Sequence, residues 1–203
     1  MRKPPNRAMK VAWGGVVLCS LLAGCGPRPA APDAEAPMVG APTDDPRLDA
    51  WFAELAAAKD DMVAADIAKR IWGRWLRPES ATVEVLLQRS LEATLQQDAP
   101  RARELLDHVT ALEPEFAEGW HRRAMLRYRE DDVAGALHDL NRVLELEPRH
   151  FSALSSLATI FEALGKPQEA LGLYQDALKL HPFFEPAKAG RDRLAAQLDG
   201  RPA

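Results

Sequence analysis

Apolar residues along positions 47–198 recur at helical spacing and in blocks that repeat. Leu48, Trp51, Phe52 and Leu55 fall on one side of a helix, and Ala65, Ala68, Ile71, Trp72 and Trp75 on one side of the next. From residue 83 onward the blocks share one interval. Pro114, Pro148 and Pro182 lie 34 residues apart. So do Ala102, Ala136 and Ala170; Ser90, Ala124 and Ala158; Leu86, Trp120 and Leu154; and Leu106, Leu140 and Tyr174. Such self-similarity marks a stack of like units, each too small to bury its own apolar face. The small residues predict close helix crossings, since backbones approach only where side chains are short. The prolines predict where each second helix stops and the chain turns. Gly165-Lys166-Pro167 gives a further stop and start, and Asp98, Asp131 and Asp132 are candidate helix caps.

A 34-residue unit with these columns resembles the tetratricopeptide repeat, two antiparallel helices per unit. The resemblance implies an all-α, right-handed solenoid with units at 83–116, 117–150 and 151–184. Residues 47–78 look like a degenerate fourth pair ahead of them. Asp60-Asp61-Met62-Val63-Ala64-Ala65 there parallels Asp131-Asp132-Val133-Ala134-Gly135-Ala136. Trp72 and Trp75 are expected to pack on the first full repeat. Residues 185–198 read as one amphipathic capping helix with Leu194 and Leu198 facing inward. Two departures stand out. Arg89 and Arg123 occupy a column that is leucine in the family and is Leu157 in the last unit, and Arg127 replaces an aromatic. These arginines are expected to run their stems along the packed face with the heads partly exposed; pairing with an acid such as Asp139 is the other arrangement open to them.

Composition narrows the class. The chain has 203 residues, 47% of them hydrophobic but only 6% aromatic, a mixture that favours helix over strand. Residues 1–24 carry Arg2, Lys3, Arg7 and Lys10 and no acid, so a net charge of −4 leaves −8 on the remainder. An acidic body without a basic stripe excludes the usual electrostatics of nucleic-acid binding.

The N-terminus reads as an address. Four cations precede the apolar run Val11–Ala23, too short to span a bilayer, and Leu22-Ala23-Gly24-Cys25 follows. This resembles the lipobox of bacterial lipoproteins, which implies a signal at 1–24, acylation of Cys25 and a periplasmic, membrane-anchored chain. Gly26 points to the outer membrane. An ordinary signal cleaved near Ala23, or an uncleaved anchor, is also compatible with the run. Residues 25–46, with Pro27, Pro29, Pro32, Pro37, Pro42 and Pro46 among alanines, read as a tether.

Chemistry is sparse. His108, His121, His138, His150 and His181 show no helical metal-ligand spacing, and Cys19 and Cys25 lie outside the repeats. No nucleophile elbow, phosphate loop or dinucleotide fingerprint appears. The expectation is therefore a non-enzymatic interaction module without metal or cofactor, bound to a protein or peptide partner. A structural or regulatory subunit that binds peptidoglycan or a small ligand is the alternative. The resemblance implies a concave groove lined by first helices, and its candidate contacts are Leu87, Leu91, His121, Met125, Tyr128, Ser155 and Thr159. Relatives that clamp a C-terminal carboxylate use lysine, asparagine and arginine; His121, Met125, Ser152 and Ser156 stand at such places here, so that partner is not implied. Arg122, Arg127 and Arg129 beside the groove predict a partner segment with apolar anchors and at least one acid.

Overall fold

A computed structural model describes residues 45–200, and the signal, Cys25 and most of the tether lie outside them. The helices are α1 (Pro46–Ala56), α2 (Asp61–Trp75), α3 (Ala81–Leu95), α4 (Ala99–Leu112), α5 (Ala117–Arg129), α6 (Val133–Leu146), α7 (Phe151–Ala163), α8 (Pro167–Leu180) and α9 (Glu185–Leu198). Among the described residues there is no strand. None of these helices is long and apolar enough to cross a membrane.

Local chemistry starts and stops each helix. The carboxylates of Asp60, Asp98 and Asp132 accept the backbone N–H of Val63, Arg101 and Gly135 at 2.8, 3.1 and 2.9 Å, satisfying donors that have no partner inside the helix. The turn within each unit passes through a left-handed residue. Gln97, Asp131 and Gly165 take it at φ 60°, 62° and 72°, at the same 34-residue interval. Only in the third unit is that position glycine, which adopts it without steric cost. The turn between units is equally regular: the N–H groups of Phe116, His150 and Phe184 bond back to the carbonyls of Glu113, Glu147 and His181.

α3–α4, α5–α6 and α7–α8 pack as antiparallel pairs in series, and α9 closes the end. Ala102, Ala136 and Ala170, with Ser90, Ala124 and Ala158, are buried at the crossings. Leu106, Leu140, Tyr174 and Leu154 are buried, whereas Leu86 and Trp120 are half-buried. α9 seats Leu194 inward and leaves Leu198 40% exposed, contrary to the expectation for that residue. Gly190 lets α9 approach closely, because a Cβ there would sit 2.3 Å from the Tyr174 ring. Arg193 fastens the outer side through two bonds to Glu162 at 2.9 and 2.7 Å.

The N-terminal helical pair does not pack on the first full repeat, where Trp72 and Trp75 are expected to seat. α1 and α2 lie over the turn between the second and third units instead of continuing the stack beyond α3. Trp75 stacks on His150 with centroids 4.2 Å apart and planes 6° from parallel. Phe52, Trp72 and Trp75 surround Phe151. Arg149 lies over the Phe52 ring and reaches Asp49 at 2.8 Å. Trp72 and Trp75 therefore belong to the core of the later units, not to the contact with the first. The apolar interior divides accordingly. One cluster comprises Val83, Leu87, Leu105, Leu106 and Val109 of the first unit with Phe116 and Leu126; the other runs from α1 and α2 through to α9.

Candidate functional site

α3 and α5 are the first helices of adjacent units, and the space between them is a groove. Leu91 and Thr94 line it from α3, and His121, Arg122, Met125 and Arg129 from α5. It encloses about 130 Å3. No carboxylate lines it. Leu91 is 45% exposed, and Met125 half-buried. Arg122 Nε donates to Glu118 at 2.8 Å, whereas Arg129 makes no ion pair among the described residues. The groove thus combines apolar contact with positive charge on a body that is otherwise acidic. Of the residues expected there from the sequence, Leu91, His121 and Met125 meet in one place. Leu87 is core, Ser155 is buried, and Tyr128 packs partly against the core. Thr159 is exposed with its hydroxyl 3.0 Å from that of Tyr174.

Beneath the groove sits a buried polar cluster. Glu118 accepts from Arg122 and from His121 Nδ1 at 3.2 Å, and His150 Nε2 lies 3.5 Å away. Burial pushes the Glu118 carboxyl up, but the hydrogen bond from His121 and the adjacent His150 outweigh it and hold it far below the usual carboxylate range. Burial pushes His150 down to about 4 despite that carboxylate. Ligand atoms of Glu118, His121 and His150 fall within 4.8 Å of one another, a spacing that could hold a metal ion. The hydrogen bonds point elsewhere. His150 Nδ1 accepts the Ala153 N–H at 3.1 Å to cap α7, so the neutral ring carries its proton on Nε2 and offers no lone pair there. The cluster is a carboxylate held by its neighbours, and it joins α5 to the start of α7.

Comparison with known proteins places these features in a lineage. A TPR repeat-containing protein of Rhizobium etli is 35% identical over 154 residues, 76% of each chain. The chain belongs to the tetratricopeptide-repeat family. The family profile described as tetratricopeptide repeat matches residues 121–183. Among solved structures, the first tetratricopeptide domain of Spaghetti (RPAP3) bound to an HSP90 peptide superposes with a TM-score of 0.56 at 22% identity, covering 60% of this chain and 96% of that one. The TPR2B domain of yeast Sti1 in complex with pHsp70 gives 0.54 at 20%, covering 58% and 99%. MamA gives 0.53 at 22%, covering 68% and 80%. At these identities the structures share the repeat fold.

Against the tetratricopeptide pattern, Arg123 is the informative departure. The expected half-exposed head is absent: the residue is buried, and all three guanidinium nitrogens donate. Nε and Nη2 take both oxygens of Asp139 at 2.8 and 2.9 Å, and Nη1 donates to Asp107 at 2.9 Å and Thr110 at 2.7 Å. Arg127 Nη1 adds a bond to Asp139 at 3.1 Å, and the Trp120 ring covers the guanidinium at 4.6 Å. Arg89, in the same column, is exposed. Sequence reasoning missed the Glu118–His150 contact. Glu118, His121 and Arg122 share a helix face by their spacing, but nothing local brings in His150, the cap of α7.

Proposed function

We propose that this chain is a non-enzymatic protein–protein interaction module, tethered in the bacterial envelope through acylated Cys25, that holds an acidic, apolar peptide segment of a partner in the α3–α5 groove. The observation that carries the reading is the groove lining: two guanidiniums, an exposed leucine and a methionine, with no carboxylate among them. Methionine and aromatic side chains suit recognition because they offer contact area and can repack. A solved relative in fold is described with the peptide SRMEEVD, which pairs acids with Met and Val. That chemistry is the kind this groove would accept. The test begins with recovery of the partner from membranes after mild crosslinking, followed by calorimetry. Met125→Ala with Arg129→Glu should weaken binding at least tenfold, about 1.4 kcal/mol, at an unchanged melting temperature. Unaltered affinity would move the partner off the groove. In the same cells Cys25→Ser should release the protein from membranes, since one acylated residue is then the whole anchor.

A further inference from the structure

We infer that α3 docks on α3 of a second copy of this chain, in an antiparallel two-fold pair. In a solenoid the outer face of the first unit meets either solvent or a covering element, and solvent-facing terminal units are ordinarily polar there. Here α3 packs on α4, and the N-terminal pair that would have covered its other side lies over the later units. What it leaves open includes two large apolar side chains among polar ones: Val85 is 48% and Leu95 75% exposed. Gln88 and Glu92, also exposed, lie between them. The spacing 85, 88, 92, 95 runs three, four, three, which aligns the side chains in one seam along a helix.

The seam is complementary to itself. A two-fold axis at the level of Ser90, whose own side chain points into the core, sets Val85 of one copy against Leu95 of the other. It also sets Gln88 against Glu92. Each half then offers one apolar contact and one amide–carboxylate hydrogen bond, and the axis doubles both. Gln88 Nε2 already reaches Glu92 Oε1 within the helix at 3.3 Å, so these groups stand at the height needed to exchange partners. Arg89 is exposed and makes no ion pair among the described residues. In this register it falls within about 1.5 Å of rise of the facing Glu92 and about 3 Å of its own copy, so the seam's complementarity rests on the Val85–Leu95 and Gln88–Glu92 pairs. A parallel pair lacks these matches, because it would set each glutamate beside its own copy. One helix pair buries less than a standard interface, so association should depend on concentration. The pairing does not rest on the groove reading, and either can fail alone.

Sedimentation equilibrium of the full chain tests it. A monomer–dimer equilibrium is expected, with Leu95→Lys and Gln88→Glu each raising the dissociation constant at least tenfold. Gln88→Glu combined with Glu92→Gln restores the complementary pair and should recover the dimer. All three side chains are exposed, so circular dichroism melts should match those of the parent at high dilution. Should Leu95→Lys nevertheless lose helicity, Gln88→Glu and its rescue decide. A chain that stays monomeric at all concentrations, a dimer indifferent to Leu95→Lys, or a double variant that fails to recover would overturn the pairing.

Discussion

A guanidinium enclosed by Asp139, Asp107 and Thr110 is stable only while its partners remain. Burial disfavours the Arg123 cation, yet the hydrogen bonds it donates to Asp139 raise its pKa. Asp139 itself has no exposed surface. Arg123→Leu would restore the family residue but remove the two-pronged partner of that carboxylate, leaving it with Arg127 and the exposed His138 ring. The expected cost is about 3 kcal/mol, the lower end for breaking a buried pair, read from urea melts. Arg123→Leu with Asp139→Leu should recover most of it, because two apolar side chains replace the pair without an orphaned charge. A double variant no better than the single would mean the network contributes more than its pairwise charges.

His150 adds a pH dependence at the same scale. Its folded pKa of about 4 lies below the ~6.5 of an unfolded histidine. Between these values the unfolded chain binds more protons, so stability rises with pH. The contribution is complete above about pH 6.5 and is lost as pH falls toward 4, on the order of 3 kcal/mol. His181, also lowered to about 4 by burial, titrates in the same window. His150→Asn keeps a side chain able to cap α7 and removes one titration. Urea melts between pH 7 and 4 should show a smaller slope for it than for the parent; equal slopes would remove His150 from the cause.

At the scale of elements, the α1–α2 pair is held by aromatic contact rather than by repeat packing. Trp75 touches Phe52, Phe151 and His150 together, and Glu113 accepts the N–H groups of Glu79 and Ser80 beside the connection to α3. Removing a buried indole costs about 3–5 kcal/mol. Trp75→Ala should therefore loosen the pair ahead of the repeats, and limited trypsin digestion at exposed Arg77 should speed up while the remaining helices persist. Cleavage at the parent rate would show the pair held by other contacts, such as Arg149 with Asp49.

For the whole molecule, the 34-residue columns were enough to define an all-α stack, because each small or proline position answers to a local demand: a close crossing or a turn. Helix starts at Asp98 and Asp132 were legible for the same reason, since caps act within three residues. The groove was legible in part. Leu91, His121 and Met125 follow from the repeat register, but the burial of Leu87 and Ser155 depends on how neighbouring helices lean. Three features needed the tertiary structure. Where α1 and α2 settle depends on which surface meets their aromatic side chains, and Phe151 lies too far along the chain from Trp72 and Trp75 for a local pattern to pair them. Arg123 could be a surface arginine or a buried one until Asp107 and Asp139, each 16 residues away, converge on it. Glu118 meets His150 only because α5 packs beside the start of α7. Local periodicity determined the helices and their order; long-range contact decided which polar groups went inside, because burial of a charge depends on partners that sequence distance conceals.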